Sequence, residues 1–236
     1  MKRKFQHIAY LLMVAAVITS CGEKKQTSEF PDWAWADFQR PEGINPIVSP
    51  DTTTVFYCPM RQDSVAWESS DTFNPAATIY DGKVVVLYRA EDNSAVGIGS
   101  RTSRLGYAYS DDGLHFNRMT VPVFYPADDN QKELEWPGGC EDPRVAVTDD
   151  GLYVMLYTQW NRKQARLAVA TSRDLQIWEK YGPAFAKAYG GRFFDEFSKS
   201  ASIVTKLVDG KQVIAKIDGK YCCLLYTSPS PRDMRR

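Results

Sequence analysis

Between residues 74 and 118 the chain alternates short apolar runs with turn residues. Ala76-Ala77-Thr78-Ile79-Tyr80 leads into Asp81-Gly82 and then Lys83-Val84-Val85-Val86-Leu87-Tyr88. Leu105-Gly106-Tyr107-Ala108-Tyr109 follows, and then Ser110-Asp111-Asp112-Gly113-Leu114-His115-Phe116. Runs of this length, rich in Val and Tyr and bounded by Asp, Gly and Ser, read as β-strands, and Asp-Gly between two of them signals a hairpin. Residues 142–178 repeat the order: Val145-Ala146-Val147, Asp150-Gly151, Leu152-Tyr153-Val154-Met155-Leu156-Tyr157, Leu167-Ala168-Val169-Ala170, then Ser172-Arg173-Asp174 running on to Trp178. A third copy begins at Ala201-Ser202-Ile203-Val204 and reaches Asp218-Gly219-Lys220-Tyr221. The Asp-Gly pairs at 81, 150 and 218 stand 69 and 68 residues apart. No helical period is visible beyond the first twenty residues. Repeated four-strand units predict an all-β protein, a propeller, with a sandwich of hairpins as the competing arrangement.

The two ends break this pattern. Lys2, Arg3 and Lys4 precede an apolar stretch, Ile8 to Ile18, that is short for a membrane span. Val17-Ile18-Thr19-Ser20-Cys21 has the form of a lipobox, and the polar tether Gly22-Glu23-Lys24-Lys25-Gln26-Thr27-Ser28 follows. The expectation is a signal peptide over 1–20, lipidation at Cys21 and a tether over 21–42. The protein would then be anchored to a bacterial envelope membrane, periplasmic or surface-exposed, through acyl chains alone. An ordinary secretory signal with an incidental cysteine is the alternative. At the other end, Cys222-Cys223-Leu224-Leu225-Tyr226-Thr227-Ser228-Pro229 departs from the β-rich pattern and resembles translated adaptor DNA. Residues 222–236 are therefore expected to be a non-native tail. The main domain, 43–221, would stop inside its third repeated unit.

Composition narrows the chemistry. Lys+Arg and Asp+Glu both number 29 in 236 residues, so no basic field favours nucleic acid. Aromatic residues make up 13% of the chain, a mild hint of sugar-stacking platforms. Of five cysteines, only Cys58 and Cys140 remain once Cys21 and the tail pair are set aside, enough for one disulfide or two buried thiols. With only His7 and His115, no metal-ligand spacing exists, and no phosphate loop or nucleotide fingerprint is present.

Gly138-Gly139-Cys140-Glu141-Asp142-Pro143-Arg144 concentrates reactive groups at the start of a β-type run. Pro143 fixes its own φ and biases Asp142 toward extended backbone. Strand alternation then puts Glu141 and Asp142 on opposite faces unless the backbone bends, and puts Asp142 and Arg144 on one face. A carboxyl held there suits proton transfer to a sugar. A solvated turn with an Asp-Arg pair is the bland alternative.

Three further motifs precede it in order: Phe73-Asn74-Pro75-Ala76-Ala77, Leu87-Tyr88-Arg89-Ala90 and Ser103-Arg104-Leu105-Gly106-Tyr107-Ala108. Together, over roughly residues 43–221, they resemble glycoside hydrolase family 130, which contains the β-mannoside phosphorylases and related β-mannosidases. The resemblance implies a five-bladed β-propeller, with about three blades in this chain, and inverting cleavage of β-mannosidic glycans. It makes Asp142 the general acid, acting directly or through a sugar hydroxyl. Asn74 and Arg89 hold the mannosyl unit, with Arg104, Glu141 and Arg144 as further substrate-binding candidates. It implies no cofactor, although a phosphorylase would take inorganic phosphate as co-substrate. A general acid keeps its proton near neutral pH, so burial or a like charge, with Glu141 nearest, is expected to raise the Asp142 pKa.

The nucleophile side stays open. Asn161, Arg162 and Lys199 could hold phosphate, whereas Asp195 and Glu196 could activate water in a hydrolase; Arg166 reads as an ordinary strand residue. Phosphorolysis conserves energy only if the sugar phosphate stays inside the cell, so the lipobox favours hydrolysis. A phosphorylase, a related five-bladed glycosidase acting on arabinans or fructans, and a non-catalytic glycan-binding lipoprotein remain alternatives.

Overall fold

The computed structural model describes residues 39–227, so the lipobox and Cys21 lie outside the described residues. The chain divides into residues 1–42 and 43–236, and the elements below all belong to the second unit.

Two antiparallel meanders carry most of the structure. The first runs β3 (Asp71–Tyr80), β4 (Lys83–Glu91), β5 (Ser103–Ser110) and β6 (Asn117–Arg118), preceded by the small hairpin β1 (Phe56–Cys58) and β2 (Asp63–Val65). The second runs β7 (Gly139–Val147), β8 (Tyr153–Trp160), β9 (Ala165–Ser172) and β10 (Glu179–Pro183). A single helical turn, α1 (Lys132–Glu135), lies between them in sequence. The meanders join where β5 and β7 pair in parallel at Ser103 and Gly139. The close approach explains the glycine pair. A Cβ on Gly139, which has φ 116°, would lie 2.2 Å from the Ser103 carbonyl oxygen, and one on Gly138 would lie 2.3 Å from the Trp160 ring.

The third region is β11 (Ser198–Ile203), β12 (Thr205–Val208), β13 (Lys211–Ile214), β14 (Lys216–Ile217), β15 (Lys220–Tyr221) and β16 (Cys223–Thr227). β13 touches β7 in parallel at Val213 and Val147. β16 pairs antiparallel with β11, so strand structure continues past Tyr221, where the sequence pattern placed its end.

The repeat is visible in the turns. Asp81 and Gly82, at φ 48° and 72°, make the tight β3–β4 hairpin that Asp-Gly favours. In the first meander the Ser110 hydroxyl and Asp112 carboxylate accept from the amides of Gly113, Leu114 and His115. Ser172 and Asp174 do the same for Leu175, Gln176 and Ile177 in the second. The third Asp-Gly needs correcting. The turn that follows β11 and β12 is Asp209-Gly210, at φ 48° and 75°, which closes β12–β13. Asp218-Gly219 closes only the two-residue pair β14–β15. Two Asp-Gly pairs stand nine residues apart, and equal spacing selected the wrong one.

The largest apolar cluster spans both meanders, with Leu87, Leu105, Tyr107, Val145, Met155, Tyr157 and Leu175 buried in it. Cys58 and Cys140 are both buried free thiols.

Candidate active site

The first strand of each of the three regions, β3, β7 and β11, carries a bulge near its start. Pairing of β3 with β4 shifts between Phe73 and Ala76, of β7 with β8 between Glu141 and Arg144, and of β11 with β16 between Lys199 and Ala201. At each shift one residue is extra, and one takes a left-handed backbone: Asn74 at φ 45°, Asp142 at φ 51° and Ser200 at φ 49°. Bulges re-aim side chains, and left-handed non-glycine residues gather at functional sites. Here the bend turns consecutive residues the same way. Glu141 and Asp142 both reach one cluster, which alternation along a regular strand forbids.

That cluster is centred on carboxylates. Asp142 Oδ1 accepts from Asn74 Nδ2 at 2.8 Å and from Arg89 Nη1 at 3.1 Å, and its Oδ2 lies 3.2 Å from Lys199 Nζ. Lys199 Nζ also donates to Glu141 Oε2 at 2.8 Å. Arg89 Nη2 lies 2.8 Å from Glu141 Oε1 and 2.5 Å from Glu91 Oε1, while its Nε donates to Ser103 Oγ at 3.0 Å. The Phe73 ring lies 4.6 Å from the Arg89 guanidinium. Arg101 bonds Asp71 and approaches Glu91 Oε2 at 3.6 Å. Arg89, Glu91, Glu141 and Asp142 are buried, whereas 35% of the Lys199 side chain is exposed.

Electrostatics reverse one expectation. Burial pushes the Asp142 carboxyl up, but Lys199 and Arg89, with hydrogen bonds from Asn74 and Arg89, outweigh it and hold it below the usual carboxylate range. Glu141 goes the other way. Burial lifts it, Asp142 adds to the lift, and Arg89 and Lys199 only partly oppose this. Of the two carboxyls, the one disposed to keep a proton is therefore Glu141, not Asp142.

The remaining candidates are distributed elsewhere. Arg144, expected on the Asp142 face, donates to the Pro143 carbonyl oxygen because the bulge ends the alternation. It lines a cavity of about 150 Å³ with Ala76, Ala77, Ala146, Ser202 and Gln212. Arg104 is fully buried, bonded to Asp92 at 2.8 Å and to Cys58 Sγ at 3.4 Å, so its guanidinium is committed within the protein. Asn161 donates to the Glu133 carbonyl oxygen, and Arg162 is exposed in the β8–β9 turn at φ 65°. Arg166 pairs with Asp195 at 2.6 Å, and Glu196 is exposed. Glu91, Ser103 and Phe73 are the site residues that sequence reasoning did not select. For Glu91 a signal existed, since it stands two residues after Arg89 on the same strand face. Among the described residues no group of three or more His, Cys, Asp and Glu side chains could hold a metal ion.

Comparison with known proteins decides the family. The profile of glycoside hydrolase family 130, described as beta-1,4-mannooligosaccharide phosphorylase, matches residues 39–232. The chain belongs to glycoside hydrolase family 130. Among curated family 130 relatives, a 1,2-beta-oligomannan phosphorylase of Thermoanaerobacter sp. (strain X514) is 36% identical over 63% of this chain and 46% of its own. The chain thus spans about half the length of the curated relatives it matches. A solved Bacteroides thetaiotaomicron VPI-5482 protein, provisionally described as a glycosidase, is 97% identical over 84% of this chain and 57% of its own, with a TM-score of 0.82. Another solved structure is 68% identical over 83% of this chain and 55% of its own, with a TM-score of 0.81. Its description states that family 130 of mannoside phosphorylases contains glycoside hydrolases that target beta-1,2 mannosidic linkages in Candida mannan.

Proposed function

We propose that the full-length protein is an inverting β-mannosidase that hydrolyses β-1,2-mannosidic linkages, with Asp142 as general acid. The observation that carries this reading is the bulged Asp142, buried yet reached by Asn74, Arg89 and Lys199, three donors suited to sugar hydroxyls. On this reading an incoming mannosyl unit takes over hydrogen bonds from Asn74, Arg89 and Lys199. Asp142 thereby loses the interactions that hold it ionised, and burial then favours its protonated form. The proton passes to the glycosidic oxygen directly or through a sugar hydroxyl. Water attacks from the opposite face, with Glu196, exposed just before β11, as the candidate base.

Hydrolysis is favoured over phosphorolysis for two reasons. Family 130 hydrolases are named in the description of the 68% identical structure, whereas the phosphorylase relatives are 36% and 32% identical. Among the described residues, Arg89 and Lys199 at the cluster face three carboxylates, Glu91, Glu141 and Asp142, which disfavours a phosphate dianion. The phosphorylase is the second reading, supported by the family description and by both curated relatives. Incubating the full-length protein with β-1,2-mannobiose, with and without inorganic phosphate, separates them. Mannose released at a phosphate-independent rate supports the hydrolase, and mannose 1-phosphate formed only with phosphate refutes it.

The two meanders and the third bulged strand are read as successive blades of a five-bladed propeller, with Asn74, Asp142 and the Lys199–Ser200 pair facing its centre. The lipobox supports anchoring of the protein at an envelope membrane through Cys21. Cys21→Ala should move the full-length protein from the membrane to the soluble fraction. Unchanged membrane association, with no acyl mass on the wild-type protein, would refute the anchor.

A further inference from the structure

The bulge on β11 is the third of a set whose first two members have visible purposes. At the β3 bulge both residues meet the cluster: Phe73 lies against the Arg89 guanidinium and Asn74 donates to Asp142. At the β7 bulge both residues meet it again, through Glu141 and Asp142. At the β11 bulge Lys199 reaches Glu141 at 2.8 Å and Asp142 at 3.2 Å. Ser200 stands where Asn74 and Asp142 stand, one residue after the first cluster contact and with the same left-handed backbone. It is half-buried, and its hydroxyl has no hydrogen-bond partner among the described residues. Serine gains nothing there conformationally, since a left-handed backbone favours glycine or asparagine.

We propose that Ser200 is a substrate-binding residue of this site, its hydroxyl exchanging hydrogen bonds with a ring hydroxyl of the glycan held between Asn74, Arg89 and Lys199. The inference rests on the mannosidase reading and adds to it a third bulge contact that neither the motifs nor any ion pair marks. A serine hydroxyl both donates and accepts, which suits a sugar hydroxyl, whereas the neighbouring Lys199 only donates. The three bulges would then contribute a carboxamide, a carboxylate and a hydroxyl from equivalent backbone positions.

The test uses two substitutions that agree in chemistry and differ in backbone effect. Ser200→Gly and Ser200→Ala both delete the hydroxyl, but only glycine relieves the left-handed φ. β-1,2-Mannobiose is titrated calorimetrically into the full-length protein carrying Asp142→Asn, so that turnover is slowed, with and without each Ser200 change. Loss of one hydrogen bond corresponds to about a 3- to 10-fold weaker Kd. Both variants should show it, while the melting temperature of Ser200→Gly equals or exceeds that of Ser200→Ala. Unchanged affinity in both variants would overturn the assignment and leave Ser200 a feature of the bulge alone. Affinity that falls only in the less stable variant would overturn it as well. If the wild-type protein neither binds nor cleaves the disaccharide, the mannosidase reading itself fails and the Ser200 contact falls with it.

Discussion

Two buried acid–lysine clusters flank Cys140, and they differ in what their charges are for. On one side, Glu135 accepts from Tyr157 at 2.8 Å, Gln159 at 3.2 Å and Lys180 at 2.5 Å, and Lys180 also bonds the Tyr125 carbonyl oxygen and Asp129. On the other, Glu141 and Asp142 share Arg89 and Lys199. Burial raises both Glu135 and Glu141 against nearby cations, so a shifted carboxyl alone does not mark the functional site. Backbone and access distinguish them. Glu135 sits on an ordinary helical turn, and its lysine is only 11% exposed. Asp142 sits on a left-handed bulge, and its lysine is 35% exposed. The Glu135 cluster ties α1 to β8 and β10. In the Asp142 cluster several carboxylates compete for cations that a ligand could take over.

The largest effect that sharpens this contrast is on stability. Glu135→Ala leaves Lys180 buried with Asp129 as its remaining acid partner. Breaking a buried pair costs about 3–5 kcal/mol, and the surviving Asp129 contact places the expectation at about 3 kcal/mol. Chemical denaturation of the full-length protein should show that loss, while turnover per folded molecule stays near wild type. A variant that folds normally but loses turnover would move Glu135 into the catalytic cluster and undo the comparison.

A smaller and opposite effect is expected at Glu141. A carboxyl whose folded pKa is raised contributes stability that is full below its unfolded pKa and lost as pH rises through the folded one. At pH 7 the ionised Glu141 is therefore a cost, and Glu141→Gln, permanently neutral, should melt at the same temperature as wild type or higher. That advantage should vanish below about pH 4, where an unperturbed glutamate is itself protonated. A lower melting temperature for Glu141→Gln at pH 7 would show that Arg89 and Lys199 hold Glu141 ionised. The opposite sign belongs to Asp142, whose lowered pKa contributes stability above the unfolded value, lost as pH falls through the folded one.

Much of the fold was legible because hairpin chemistry is local. Asp81-Gly82, the Ser-x-Asp turns at 110 and 172, and the alternating runs beside them lie where the pattern predicted. The Asp209-Gly210 turn was not chosen, since spacing cannot tell two nearby Asp-Gly pairs apart. The site was legible in its residues but not in its geometry. Asn74 and Asp142 both precede proline, a context that favours extended backbone, and both take positive φ instead. Local preference is overridden where the bulge is needed, so the shared orientation of Glu141 and Asp142 could not be read from alternation. Lys199 could be picked out as a cation, but not its bridge between the two carboxylates. The Glu135 cluster gave no signal at all, because it joins a four-residue helix to strands more than twenty residues away.

The measurement that bears most directly on the account is turnover of β-1,2-mannobiose by the full-length Asp142→Asn protein, beside its Kd and melting temperature. Asparagine keeps the shape of the side chain and one oxygen able to accept from Asn74 and Arg89, but it loses the ion pair with Lys199 and the transferable proton. General acid catalysis commonly supplies about 10²–10⁴-fold in rate, so turnover should fall at least about a hundredfold with affinity nearly unchanged, while the melting temperature falls at neutral pH because the ionised carboxylate contributes stability there. An aryl mannoside with a good leaving group should lose less. Near-wild-type turnover on the disaccharide would remove Asp142 from the chemistry, and loss of folding would make the bulged carboxylate a structural turn.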